Sequence, residues 1–233
     1  MEEILRDGFR ELDIPLTEEA LARFGCYYEY LDQRNKVMNL TAITGEEDTA
    51  RLHFLDCAAL LKAADFAGAR VVDVGTGAGF PGLPLKIISP DISLTLLDSQ
   101  RKRVDFLKEV CERLGFDDVE CIHVRAEEAQ AEMRETFDIA VSRAVARLNM
   151  LCELCMPFVR LGGFFLAMKG PEVSQELSEA ERAISILGGQ TLDVFRYTIP
   201  GTDIEHSVVV IKKVQSTPEK YPRRFARIQK SPL

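Results

Sequence analysis

The chain has 233 residues, 46% of them apolar, enough for a sizeable core in one α/β domain with an added segment. No apolar run reaches the roughly 18 residues of a membrane span, and the acidic opening "MEEILRDGFRELDI" lacks the regions of a signal peptide, so a cytoplasmic protein is expected. Net charge is −8, which argues against nucleic acid, but seven basic residues face one acid from Ile211 to Leu233 (+6), leaving −14 on the first 210 residues. That asymmetry points either to a polyanion partner or to a solvated tail.

Residues 1–66 read as a helical N-terminal extension. Thr17, with Glu18 and Glu19, opens a helix carrying Leu21, Phe24, Tyr28 and Leu31. Thr44-x-x-Glu47 has the form of a capping box for another, through Leu52, Leu55 and Ala59. His53 and Asp56 on that helix read as an ordinary surface pair. Between the two helices "NKVMNLTAIT" has no clean period. The texture changes from residue 69. Strands are predicted over 69–75, 92–98, 119–125, 137–144, 162–170, 190–199 and 207–214. Helical patterns lie between most of them, including "RKRVDFLKEVCERL" stopped by Gly115. Strand–helix alternation means βαβ units and a mainly parallel sheet covered on both faces. The last two strands are joined by the short loop "PGTDIEH", so they pair antiparallel. The expected fold is Rossmann-like α/β: a seven-stranded, mainly parallel sheet with an antiparallel last strand. The chain divides into the extension (1–66), a core (67–215) and a basic C-terminal tail (216–233). Of six cysteines only Cys152 and Cys155 have C-x-x-C spacing, on one helix face, so buried thiols are expected and no metal or disulfide.

The most informative stretch is "VVDVGTGAGFPGLPLK" (71–86), a buried strand running into a glycine turn. Gly75, Gly77 and Gly79 let the backbone turn tightly and approach a ligand. The helix that follows begins near Pro81, and its free amides favour an anionic group. "GAGFPG" matches the dinucleotide fingerprint G-x-G-x-x-G, a weak signal alone. The fuller frame is Asp73 followed by glycines at every second position from Gly75. Asp98 ends the second strand, placed for the two hydroxyls of a ribose. That acid suits NAD and S-adenosylmethionine (SAM) equally; the antiparallel final pair favours SAM.

With these residues together, the chain resembles the bacterial small-subunit ribosomal RNA methyltransferase G family, also called glucose-inhibited division protein B. The resemblance rests on "GTGAGFPGLPL" and "SRAVA", supported by "NKVMNLTAIT", "HFLD", "RAEE", "MKG" and "STPEKYPRR". It implies a class I SAM-dependent methyltransferase acting on N7 of one guanine in the decoding-region loop of 16S rRNA. It implies cofactor contacts from Asp73, Gly75, Gly77, Gly79 and Phe80, a ribose contact from Asp98, and Ala126 and Glu127 beside the adenine. Arg143 would face the methionine moiety or the incoming base, and Asn39 and Lys169 would stand at the active-site rim. The partner it implies is 16S rRNA or a small ribosomal subunit particle, with the protein a monomer that needs no metal or membrane.

Guanine N7 offers an in-plane lone pair and has no proton to lose, so its methylation needs orientation rather than a general base. Asn39, Arg143 and Lys169 are therefore expected in positioning roles. On its own terms Arg143 could instead pair with Asp73 or Asp138. Three cations in "QRKR" oppose the dipole of the helix they begin, which points to a phosphate, or nearby Asp98, beside Lys102 and Arg103. Lys220, Arg223 and Arg224 supply the basic strip of the C-terminal end. A SAM enzyme of a small molecule, an NAD oxidoreductase and a non-catalytic SAM-binding module are the competing readings.

Overall fold

The computed structural model describes residues 1–129, 133–143 and 146–233. Ala144 and Val145 of "SRAVA", and with them the predicted end of the fourth strand, lie outside the described residues. Seven strands form one sheet: β1 (Arg70–Val74), β2 (Ser93–Asp98), β3 (Glu120–His123), β4 (Phe137–Arg143), β5 (Val159–Lys169), β6 (Gly189–Thr198) and β7 (Glu205–Lys213). Their order is β3-β2-β1-β4-β5-β7-β6. Strands β1 to β5 pair in parallel, and β7 lies antiparallel between β5 and β6. The order reverses beside β1, so a crevice opens at the carboxyl ends of β1 and β4.

The near-continuous apolar runs follow from burial on both faces. Val71, Leu94, Leu96, Val141, Leu166, Val208 and Val210 pack on one face, while Val72, Val74, Leu97, Ala140, Phe165, Val209 and Ile211 pack on the other. The first face is covered by α1 (Glu2–Glu11) and α2 (Glu18–Met38), a helical run α3 (46–62), then α4 (Gly82–Ile88) and α5 (Arg101–Leu114). The second face holds α6 (Leu148–Cys155), α7 (Val173–Ile186) and α8 (Phe225–Lys230). The N-terminal helices are thus built into the main core: Leu5, Phe9, Phe24 and Phe54 are buried in the same cluster as β1 and β2.

Local sequence sets two helix ends plainly. Thr17 caps α2 by accepting from the Ala20 amide at 3.1 Å, and Gly115, left-handed, ends α5. Thr44 departs from expectation. The helix starts at Glu46 behind Gly45, with no side-chain cap. Thr44 lies one residue too early, because Gly45 at φ 88° occupies the cap position. The run α3 is also irregular: Glu46–Thr49 is α, Ala50–Leu55 is π, Asp56–Ala58 is α and Ala59–Lys62 is 3-10. A π turn carries more residues per turn than an α turn and so resets which side chains share a face.

The basic C-terminal end is packed rather than trailing. Tyr221 and Ile228 are buried against the second face, and Arg134 donates to the Thr217 and Tyr221 carbonyls at 2.6 and 2.9 Å. Lys213 is fully buried and reaches the Met156 carbonyl, Thr217 and Glu135.

Candidate active site

At the carboxyl end of the sheet lies a cavity of about 800 Å³, toward the upper end of ordinary ligand pockets. Its floor is the glycine loop. The Gly75 and Thr76 amides donate to the Leu97 carbonyl at 2.9 and 3.1 Å, which fastens the loop to β2. Gly75, Gly77 and Gly79 all have positive φ (73°, 62° and 106°). A Cβ on Gly77 would meet open space, whereas one on Gly79 would strike Leu83 and the Tyr27 hydroxyl within 2.6 Å. Gly77 is therefore bare toward the cavity, and Gly79 toward the protein.

Asp98, 3% exposed, stands at the end of β2. Its carboxylate accepts from the Gly77 amide at 3.0 Å and the Gln100 amide at 2.8 Å, and Arg103 approaches to 3.5 Å. Arg103 thus turns toward Asp98 at the cavity wall, while Lys102 points into solvent. Asp73 sits behind the loop, fully buried. One of its oxygens accepts from Thr76 Oγ1 at 2.7 Å and the Gly82 amide at 2.8 Å; the other, Oδ1, has no partner among the described residues. Desolvation pushes its carboxyl up to about 7, against the bonds from Thr76 and Gly82.

The opposite wall is organised by Arg143 at the end of β4. Its guanidinium donates to the Leu52 carbonyl and Asp56 Oδ2, each at 3.1 Å, and to His53 Nδ1 at 2.6 Å. A guanidinium only donates, so His53 Nδ1 accepts, and its Nε2–H donates to Thr41 Oγ1 at 2.9 Å. The ring is held neutral. Desolvation, then the Arg143 charge, lowers His53 to about 3. Phe80 is packed between these groups: its ring stacks on His53 at 4.1 Å and on Tyr27 at 5.5 Å, with Arg143 over it at 4.9 Å. Asp56, 2% exposed, also accepts from the Tyr197 hydroxyl at 2.7 Å and from His206 Nδ1 at 2.8 Å. Burial raises its carboxyl, but the His206 hydrogen bond and the Arg143 charge more than offset this and leave it below the ordinary value.

The partner of Arg143 is Asp56, not Asp73 or Asp138. Asp138 is taken by Arg160 at 2.6 Å. Lys169, at the end of β5, donates to the Ala146 carbonyl and pairs with Glu176 Oε2, both at 2.8 Å. An ammonium has three protons, and two are used here among the described residues.

Seven of the predicted residues therefore meet at the cavity: Gly75, Gly77, Phe80, Asp98, Arg103, Arg143 and Lys169. Asp73 and Gly79 support the loop from behind. Asn39 is exposed and left-handed at the end of α2, next to Leu40 of the wall but not lining it. Ala126 and Glu127 are half-buried in the turn after β3, off the lining. Lys220 and Arg224 are exposed near α8 on the second face, whereas the Arg223 guanidinium is committed to Glu153, which is fully buried, at 2.6 and 2.8 Å. Sequence reasoning set His53 and Asp56 aside as a surface pair and gave no role to Thr41 or Tyr197. The i, i+3 spacing in "HFLD" was the available signal; nothing local marks Tyr197.

The geometry can now be set beside known proteins. A family model described as rRNA small subunit methyltransferase G matches residues 20–203. A protein of Clostridium botulinum (strain Loch Maree / Type A3) named ribosomal RNA small subunit methyltransferase G is 44% identical over 99% of this chain and 98% of its own. Its namesake from Alkaliphilus metalliredigens is 46% identical over the same shares. The chain belongs to the rRNA small subunit methyltransferase G family. Membership carries methyl transfer to small-subunit ribosomal RNA, with SAM as donor. The fold is also that of more distant proteins of known structure. TrmN from Thermus thermophilus superposes with a TM-score of 0.55 at 19% identity, over 68% of this chain and 48% of its own. TYW2 from M. jannaschii, solved in complex with AdoMet, gives 0.55 at 13% over 68% and 75%.

The residues present fit that donor. A backbone bare at Gly77 lines the cavity, and a carboxylate ends β2 beside it. Among the described residues no three His, Cys, Asp or Glu side chains come together to hold a metal, and no helix is long and apolar enough to cross a membrane.

Proposed function

We propose that this member of the methyltransferase G family transfers the methyl group of SAM to N7 of a single guanine in the decoding-region loop of 16S rRNA. When bound, SAM supplies a methyl group on a sulfonium, an electrophile that any well-placed lone pair can take. The observation that carries the reading is how the wall side chains are committed. His53 Nδ1 is occupied by Arg143, Asp56 is shared by Arg143, Tyr197 and His206, and Asp98 accepts from two amides. His53, with Nδ1 accepting from Arg143 and Nε2–H donating to Thr41, has no lone pair left to take a proton. N7 asks for none, whereas an exocyclic amine must lose one.

In this reading Gly75, Gly77 and Phe80 cradle the donor, supported by Asp73 and Gly79, with Asp98 on its ribose and Ala126 and Glu127 toward its adenine. The apolar half of the cavity, with Leu40, Ile43, Leu52 and Ile204, takes the base. Arg143 holds this wall in place, and Lys169 offers its remaining proton to the base or a phosphate. Asn39 stands at the rim. Lys102, Lys220 and Arg224 meet RNA phosphates, and Arg223 serves by anchoring the segment that carries its neighbours. Alignment of nucleophile and methyl group is then the source of rate, a contribution of about 7–11 kcal/mol in well-oriented pairs.

Incubation with labelled SAM and small-subunit particles, followed by borohydride–aniline cleavage of the RNA, tests this. Cleavage at one labelled guanine is expected. Label on an exocyclic amine or a ribose, or label transfer that does not need RNA, would overturn it.

A further inference from the structure

A second cavity, of about 490 Å³, shares no lining residue with the first. It opens between the C-terminal half of α5 and β3, over Cys111 and Cys121. The two sulfurs stand 3.8 Å apart. Cys111 is buried and Cys121 is half-buried, so the cavity gives a small molecule access to the second thiol first. The structure assigns this pair as a dithiol that hydroperoxides oxidise reversibly to a disulfide, fastening α5 to the edge of the sheet.

The surroundings differentiate the two sulfurs. The contact between the two sulfurs, opposed by desolvation and helped by the charge of Lys108, lowers Cys121. The same contact, with burial, pushes Cys111 up. Cys121, half-buried at the cavity and the lower of the two, is thus the attacking sulfur, and buried Cys111 the resolving thiol. By contrast, burial is the main cause that raises Cys57, Cys152 and Cys155, and none of them lines this cavity.

The chemistry balances with the peroxide as the only co-reactant. The Cys121 thiolate attacks one peroxide oxygen, the O–O bond breaks, and the second oxygen leaves as hydroxide or alkoxide. This gives a sulfenic acid on Cys121. Cys111 then loses its proton and attacks that sulfur, expelling the sulfenic oxygen as water. Two electrons pass from the thiol pair to the peroxide, and a dithiol reductant returns them. Bond formation brings the sulfurs from 3.8 Å to about 2.05 Å. The loop 115–119 between the two elements, entered at left-handed Gly115, is short enough to keep them in register.

The test uses the full chain. After treatment with a few equivalents of hydrogen peroxide and denaturation, free thiols should fall from six to four, with the tryptic peptides of Cys111 and Cys121 joined, and dithiothreitol should restore six. Cys121→Ser should keep its remaining five thiols. Cys111→Ser should stop at a sulfenic acid on residue 121, trapped by dimedone; Cys111→Ala serves if the serine does not fold. Six thiols surviving in the parent, a link between other cysteines, or the same thiol loss in Cys121→Ser would overturn the assignment.

Discussion

At the residue scale the site turns on one buried charge and the groups that hold it. Arg143 and Asp56 have side chains 15% and 2% exposed, so each depends on the other. Asp56→Ala leaves the guanidinium without a counter-charge, and an expected loss of about 3–5 kcal/mol can be read from urea unfolding. His53 gives a pH signature. Its folded value near 3 lies below its unfolded value of about 6.5, so the unfolded chain binds a proton that the folded chain refuses. The stability due to His53 is present above pH 6.5 and drains as pH falls toward 3, at up to about 1.4 kcal/mol per unit. Asp73, raised to about 7, slopes the other way: its penalty grows as pH rises from about 4 to 7. The readout is therefore the difference between His53→Gln and the parent, which should shrink steadily from pH 6.5 to 4. Parallel stability curves would show that the ring is not held neutral. The sequence showed Arg143 and its strand end but not its partner, because Asp56 lies 87 residues earlier and only packing of α3 on β4 brings them together.

At the element scale two glycines of one loop do different work. Gly79→Ala forces a methyl against Leu83 and Tyr27 at a φ of 106°, and should destabilise the fold by about 1–3 kcal/mol in thermal or urea unfolding. Gly77→Ala has room but a left-handed φ of 62°, a cost of only about 1–2 kcal/mol, and its methyl points into the cavity. It should weaken SAM binding, measured by calorimetry, far more than it lowers stability. Equal effects of the two on binding and on stability would contradict this division. The loop itself was legible, because glycines spaced by two after a β-rich run have few other uses. The π segment of α3 was not. Its sequence, "ARLHFL", carries no signal for i→i+5 pairing, and the shift that brings His53 and Asp56 to Arg143 is settled by packing.

At the scale of the whole molecule the net charge and the basic C-terminal end have to be reconciled. Of the seven cations after residue 210, Lys213 and Arg223 are spent on Glu135 and Glu153 inside the protein. Deleting 218–233 would strand the fully buried Glu153 and remove Tyr221 and Ile228 from the core, so a truncated chain should unfold more readily, whatever its affinity for RNA. Charge removal at the surface is the cleaner measurement. With Lys220 and Arg224 both changed to Ala, the logarithmic salt dependence of binding to single-stranded 16S rRNA fragments should flatten by about 0.7 for each phosphate no longer neutralised, with SAM affinity intact. An unchanged slope would remove these two residues from the interface.

By itself the sequence determined the sheet, its strand count and its antiparallel end, because strands buried on two faces must be apolar along their length and a short loop cannot cross over. It also determined the glycine loop and the acid after it, since backbone approach and strand-end position are local properties. Only the tertiary structure decided what surrounds Arg143, which cations remain free for a partner, and that Cys111 meets Cys121. Those pairings join residues from different elements, and a side chain's partner, unlike its backbone preference, is set by what the rest of the chain packs beside it.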